Sequence, residues 1–323
     1  GVIEYKLGNH IDAKKYFEKV LSIDDSFAEA IFNLGVLQFK NEKFEKAKEF
    51  FTKTIKLNPS HFEALTNLAY IAQKENNIEQ AISLNHRAID LNPIEDTPYF
   101  NLALINEDLN NIDKSMNYYK KAIELNPSKH DAKYNLARLH LYLHQYEEGW
   151  KNYESRDEKV IRFDQELNIA ESQVWDFKPF DGELIIHGEQ GLGDMMMFST
   201  MLNEVVQIHG KVTVITMSRL AKLFRKIFTN ITFLDQEGEL FFPPNSKHIL
   251  FGSLGKYFRK SIDDFLNSDD YFLEIDKDKV EEFNKIIDKN NKIKVGISWK
   301  SSGIYNDKRN LNIEEFVSIF DPK

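Results

Sequence analysis

The sequence predicts an α-solenoid followed by a parallel α/β domain. Three observations predict it. A four-residue ending recurs at a fixed spacing through the first half. Small residues and aromatics recur at that same spacing. Beyond about Val160 the helical repeat gives way to short apolar runs alternating with helical stretches.

The recurring ending is Lys56-Leu57-Asn58-Pro59, then Asp90-Leu91-Asn92-Pro93, then Glu124-Leu125-Asn126-Pro127, with prolines 34 residues apart. A 34-residue period is that of the tetratricopeptide repeat, a helix–turn–helix unit. It divides residues 1–156 into a partial unit 1–27, units 28–61, 62–95 and 96–129, and a degenerate unit 130–156. The seventh residue of each unit (Leu34, Leu68, Leu102, Leu136) is expected between the two helices. The eighth (Gly35, Ala69, Ala103, Ala137) and the twentieth (Ala47, Ala81, Ser115, Gly149, with Ala13 before them) are small because backbones cross there. Phe17, Phe51, Tyr119 and Tyr153 are expected to fill the groove toward the next unit, and the prolines to end each second helix. The last unit has Lys133 where its neighbours carry Ile31, Leu65 and Tyr99, which marks a cap or a junction to another domain. The first unit lacks most of its first helix, and the chain opens Gly1-Val2-Ile3-Glu4, so further repeats are expected upstream.

Each unit carries an asparagine at its sixth place: Asn33, Asn67, Asn101 and Asn135. In this register they lie on the inner helices. An amide offers donor and acceptor together, so a ladder of them could hold an extended peptide on the concave face without reading its side chains. Asparagine kept only as a common consensus residue is the competing reading.

Composition narrows the function. The 323 residues suggest two domains. With 42 basic and 51 acidic residues the net charge is −9, against a general nucleic-acid binder. The absence of cysteine excludes disulfides, thiolate metal sites and cysteine nucleophiles, and no metal is expected. No apolar run approaches the roughly 18 residues of a membrane span, and the cytoplasm is the default location.

After a linker over 157–182, an α/β domain is expected over 183–290 and the start of a second over 291–323. Strands are predicted at 183–187, 211–216, 231–234, 248–251 and 294–299, and helices at 194–208, 219–228, 280–288 and 313–320. The turn Gly188-Glu189-Gln190-Gly191-Leu192-Gly193-Asp194 follows the first strand, where such sheets take ligands. Gly188, Gly191 and Gly193 permit close backbone approach there. The order is G-x-x-G-x-G with no acidic residue clearly ending the second strand, so a nicotinamide-dependent oxidoreductase is disfavoured. Asp194 reads first as a helix cap and second as a general base.

Gly149-Trp150-Lys151-Asn152-Tyr153-Glu154-Ser155-Arg156, then Trp175, then His187-Gly188-Glu189-Gln190-Gly191-Leu192-Gly193-Asp194, resemble bacterial tetratricopeptide proteins fused to a heptosyltransferase-like domain of two-Rossmann GT-B architecture. A looser analogy joins them to O-linked N-acetylglucosamine transferases, which also couple such repeats to a GT-B enzyme. The resemblance implies inverting, metal-independent transfer from a nucleotide-sugar, with no other cofactor, to a protein or glycan acceptor recruited by the repeats. It makes Asp194 the base that deprotonates the acceptor hydroxyl. Val295 to Ser302 resemble the first strand and loop of the second Rossmann domain, and Lys308 and Arg309 would face the donor diphosphate. A chain that stops at Lys323 holds little of that second domain and is expected to be inactive alone. The alternative is a non-catalytic scaffold: repeats that bind partners beside a degenerate α/β domain.

Overall fold

A computed structural model of the chain describes residues 1–156, 173–189, 191–238, 240–266 and 277–286. The chain divides into two compact units, residues 1–272 and 273–323. In the second, the described element is a helix over Lys277–Ile286. The strand and helix predicted at 294–299 and 313–320 lie outside the described residues.

The first unit begins with ten helices in antiparallel pairs: α1 (Val2–Lys6), α2 (His10–Ile23), α3 (Ala28–Lys40), α4 (Phe44–Leu57), α5 (Phe62–Lys74), α6 (Ile78–Leu91), α7 (Asp96–Asp108), α8 (Ile112–Leu125), α9 (His130–Tyr142) and α10 (Tyr146–Tyr153). The expected interior is in place. Leu34, Leu68, Leu102 and Leu136 are buried, as are Ala69, Ala103, Ala137, Ala47, Ala81 and Ser115 at the crossings. Gly35 is small for a stated reason: a Cβ there would fall 2.8 Å from the Phe51 ring. Phe17, Phe51, Tyr119 and Tyr153 are buried between units. The matching place in 62–95 is Asn85, fully buried, whose amide donates to the Ala81 carbonyl at 2.9 Å and accepts from Asn101 at 3.3 Å. A hydrogen-bonded amide pair there replaces an aromatic ring.

Each first helix closes on a left-handed residue at one repeat position: Glu42 (φ 56°), Asn76 (60°), Asn110 (59°) and His144 (60°). The next amide bonds back five residues, as Lys43 to Gln38 at 3.0 Å and Asn77 to Ala72 at 2.8 Å, which satisfies carbonyls the helix end leaves open. Asparagine tolerates this conformation and glycine more so; glutamate adopts it at a steric cost. Glu42 is exposed. Glu42→Gly is therefore expected to raise stability by about 0.5–1 kcal/mol, the relief exceeding the added freedom of the unfolded chain. A urea midpoint below that of the parent would contradict this.

Beyond the repeats lie four parallel strands: β1 (Leu184–His187), β2 (Val212–Thr216), β3 (Ile231–Asp235) and β4 (Lys247–Leu250), in the order β3-β2-β1-β4. β1 and β2 are buried at every position, which is why they are rich in Leu, Ile and Val and their polar residues, His187, Thr213 and Thr216, are buried too. The helices between them are α11 (Leu192–Ser199), α12 (Leu202–Ile208) and α13 (Ser218–Ile227), with a 3₁₀ turn over Phe251–Leu254 and short helices α14 (Gly255–Phe258) and α15 (Asp263–Leu266) after β4. The single helix predicted over 194–208 is two. The Ser199 and Thr200 hydroxyls bond back to the Met196 and Met197 carbonyls, and the Arg259 guanidinium takes the Thr200 carbonyl, so the ladder is interrupted there. Part of the segment read as a linker joins the sheet: Val174 bridges to His248, and the Trp175 amide donates to the His248 carbonyl at 2.9 Å.

One sheet face, from Leu184, Ile186, Val212, Val214, Phe233 and Ile249, packs on Phe198, Leu202, Val205, Leu220 and Phe224. The same continuous core takes in Ala137, Trp150 and Tyr153 of the last repeat. The degenerate unit is thus a junction, joined to the sheet domain through Ala137, Trp150 and Tyr153.

Candidate functional site

The glycine-rich turn leaves the carboxyl end of β1 and enters α11, and Gln190 within it lies outside the described residues. Gly188 is fixed by close approach: its amide donates to the Ile215 carbonyl at 2.6 Å, and a Cβ would meet that same oxygen. Gly191 and Gly193 are exposed, and a Cβ on Gly193 would meet nothing within 4 Å. Asp194 is half-buried in the first turn of α11, where its carboxylate accepts from the Gly191 amide at 3.1 Å. The helix starts at Leu192 with Gly191 at its N-cap, so Asp194 is not the N-cap residue; it stands at the third helical position and reaches back to the N-cap amide, one half of a capping box. Met195 is buried in the core and Met197 is exposed.

The last repeat faces this turn. Tyr134, on the inner helix α9, packs against Tyr153 with ring centroids 5.6 Å apart, and Tyr153 packs against Phe198 of α11 at 6.4 Å. Burial pushes the Tyr134 phenol up; Arg138 opposes the rise, and Asp194 and Glu189 add to it. Next to Tyr134, Asn135 accepts from Arg138 at 3.3 Å, and Arg138 pairs with Glu107 of the preceding unit at 3.1 Å.

The asparagines of the ladder have unlike surroundings. Asn33 donates to the Glu29 carbonyl of its own helix. Asn67 is half-buried, and its side-chain amide has no hydrogen bond among the described residues. Asn101 is buried and committed to Asn85, and Asn135 is engaged by Arg138. Lys308 and Arg309 lie outside the described residues.

Sequence reasoning missed the residues that fill the crevice between the carboxyl ends of β1 and β4. Glu189, just after β1, and Ser253, just after β4, converge there on Arg156 from the end of the repeats, and the Gly252 amide donates to Glu189. The available signal was Arg156 itself, a cation one helical turn beyond Tyr153 in a motif otherwise aromatic on that face.

Comparison with known proteins agrees with the first half. Residues 28–61 match a tetratricopeptide repeat model, residues 1–27 and 97–129 a second, and residues 50–83 a third. No curated protein matches the chain. Among solved structures it is similar to pilF of Pseudomonas aeruginosa (20% identity over 52% of this chain and 81% of that one, TM-score 0.45). It is also similar to TTC0263, a thermophilic TPR protein of Thermus thermophilus (22%, 52% and 96%, TM-score 0.42). A third is MamA from Desulfovibrio magneticus RS-1 (18%, 50% and 90%, TM-score 0.40). Among the described residues no helix is long and apolar enough to cross a membrane. With the period, the helix pairs, the left-handed turns and the family models in agreement, the N-terminal half of this chain is an array of tetratricopeptide repeats.

Proposed function

We propose that the repeats hold an extended peptide or protein segment on their inner face and present it to the turn at Asp194, where the intact protein transfers a sugar from a nucleotide-sugar. The observation that carries this reading is the shared core: the inner helix of the last repeat and the first helix of the sheet domain are packed together through Tyr134, Tyr153 and Phe198. A recognition arm that only tethered a partner would not need its last unit built into the sheet. In the proposed step the acceptor hydroxyl gives its proton to the Asp194 carboxylate, its oxygen forms the new glycosidic bond, and the nucleoside diphosphate leaves with the bonding pair. Lys308 and Arg309, by the family resemblance, would neutralise the departing diphosphate.

One observation favours the scaffold alternative. The crevice where a parallel sheet of this order takes a ligand holds Arg156 and Glu189 instead. The two readings separate on nucleotide-sugar turnover by the intact protein. A rate that falls about 10²–10⁴-fold in Asp194→Asn supports transfer, and unchanged turnover removes Asp194 from the chemistry. Peptide binding is tested separately at Asn67, whose amide is uncommitted, because Asn101→Ala would also orphan the buried Asn85 amide. Asn67→Ala is expected to weaken peptide binding several-fold without changing stability, and equal affinity would end the ladder's role.

A further inference from the structure

We infer that Arg156 is a positioning residue: the repeat array reaches through it into the crevice between β1 and β4 and sets the geometry of the glycine-rich turn. The importance of that turn rests on the function proposed above, but the geometric claim does not.

The motif Gly149-Trp150-x-x-Tyr153-Glu154-x-Arg156 works as a key. Its residues project one turn apart onto the sheet domain. Trp150 lies on Gly255, where a Cβ would collide with the indole ring. Tyr153 lies on Gly252, where a Cβ would be 3.1 Å from its ring. Arg156 then enters the crevice and is only 1% exposed. Its guanidinium grips Glu189 with two parallel bonds, Nε to Oε2 at 2.9 Å and Nη2 to Oε1 at 2.5 Å. Nη2 also donates to the Ser253 hydroxyl at 2.9 Å, and Nη1 to the Tyr153 carbonyl at 3.2 Å and to Glu154 at 3.3 Å. Ser253 in turn donates to the other Glu154 oxygen at 3.1 Å. Glu189 Oε1 receives a further bond from the Gly252 amide at 2.8 Å.

Three points of the chain, 97 residues apart at the extremes, thus converge on one planar cation. The fork geometry matters as well as the charge, because only a guanidinium can hold both carboxylate oxygens and Ser253 at once. Glu189 follows Gly188 directly, so holding its carboxylate against Arg156 and the Gly252 amide anchors the start of the turn, where the Gly188 amide is itself bonded to the Ile215 carbonyl. The crevice itself is then a structural joint, and a ligand of the turn must approach from the open side, where Gly191 and Gly193 are exposed.

The test is amide hydrogen exchange on the full chain, without sugar donor, in Arg156→Lys and Glu189→Gln. Arg156→Lys keeps the charge and loses the fork. The Gly252 and Gly191 amides are expected to exchange at least tenfold faster in both variants, while Val214 and Phe233 in the sheet are unchanged. Two results would overturn the inference. One is parental exchange at Gly252 and Gly191 in Arg156→Lys, which would show that charge alone suffices. The other is equal acceleration through the sheet, which would make Arg156 a general support. Neither readout depends on transferase activity, so a failed transfer assay leaves this result standing.

Discussion

Trp150→Ala is expected to lower the unfolding free energy of the 1–272 unit by about 3–5 kcal/mol, the range for deleting a buried large aromatic. The indole is nearly enclosed and joins Ala137 and Tyr153 to the sheet core. Its N–H donates to the Arg259 carbonyl at 2.6 Å, and the buried Arg259 guanidinium is itself held by Glu204 at 2.8 and 2.9 Å. Alanine would leave a cavity over Gly255 and an unpaired Arg259 carbonyl together. Urea unfolding followed by circular dichroism at 222 nm measures the loss. A change below about 1 kcal/mol would mean that the repeats rest on the sheet domain without depending on it.

The second large effect is acid lability between pH 6.5 and 5. His187 at the end of β1 and His248 in β4 are buried, with Nε2 of the first 2.9 Å from Nδ1 of the second, and His248 also meets the Ser246 hydroxyl at 2.9 Å. Burial, and then the neighbouring His248, pushes His187 down to about 3; burial pushes His248 down to about 4. Both are neutral in the folded chain, while the unfolded chain takes up protons near 6.5. Stability contributed by the neutral pair is complete above pH 6.5 and lost as pH falls toward 4 and 3. At pH 5 the loss is about 2 kcal/mol per histidine. Asp176, held down to about 2 first by its Lys247 bond, titrates in a lower window, and the double variant separates these two histidines from the other seven. Urea midpoints at the two pH values, in the parent and in His187→Phe/His248→Leu, measure this. An equally steep decline in the double variant would place the acid sensitivity elsewhere.

The repeats were legible because their information is local and periodic. A leucine every 34 residues, a small residue beside it and a proline at each end specify a helical hairpin without reference to the rest of the chain. The left-handed position recurs with the same period yet was hidden, since Glu42 and His144 stand where only Asn76 and Asn110 suggest the conformation. Asn85 was concealed differently: its neighbours' aromatics describe the groove, and only the Asn101 partner explains how an amide can fill it. Of the candidate site, the turn and its glycines were visible, because a strand followed by glycines and an acidic helix start is a contiguous pattern. The grip of Arg156 on Glu189 was not, since its parts lie 33 residues apart and meet only after the sheet has formed.

Short-range patterns therefore established the helical hairpins, the buried strands and the place of the turn, each being a choice the backbone makes within a few residues. Folding in three dimensions settled where the last repeat docks, which of the repeat asparagines are held by other protein groups, and what occupies the crevice between β1 and β4. Those outcomes depend on burial and on hydrogen bonds between distant segments, where a carboxylate, a guanidinium and a backbone amide acquire their partners only once water has been excluded from between them.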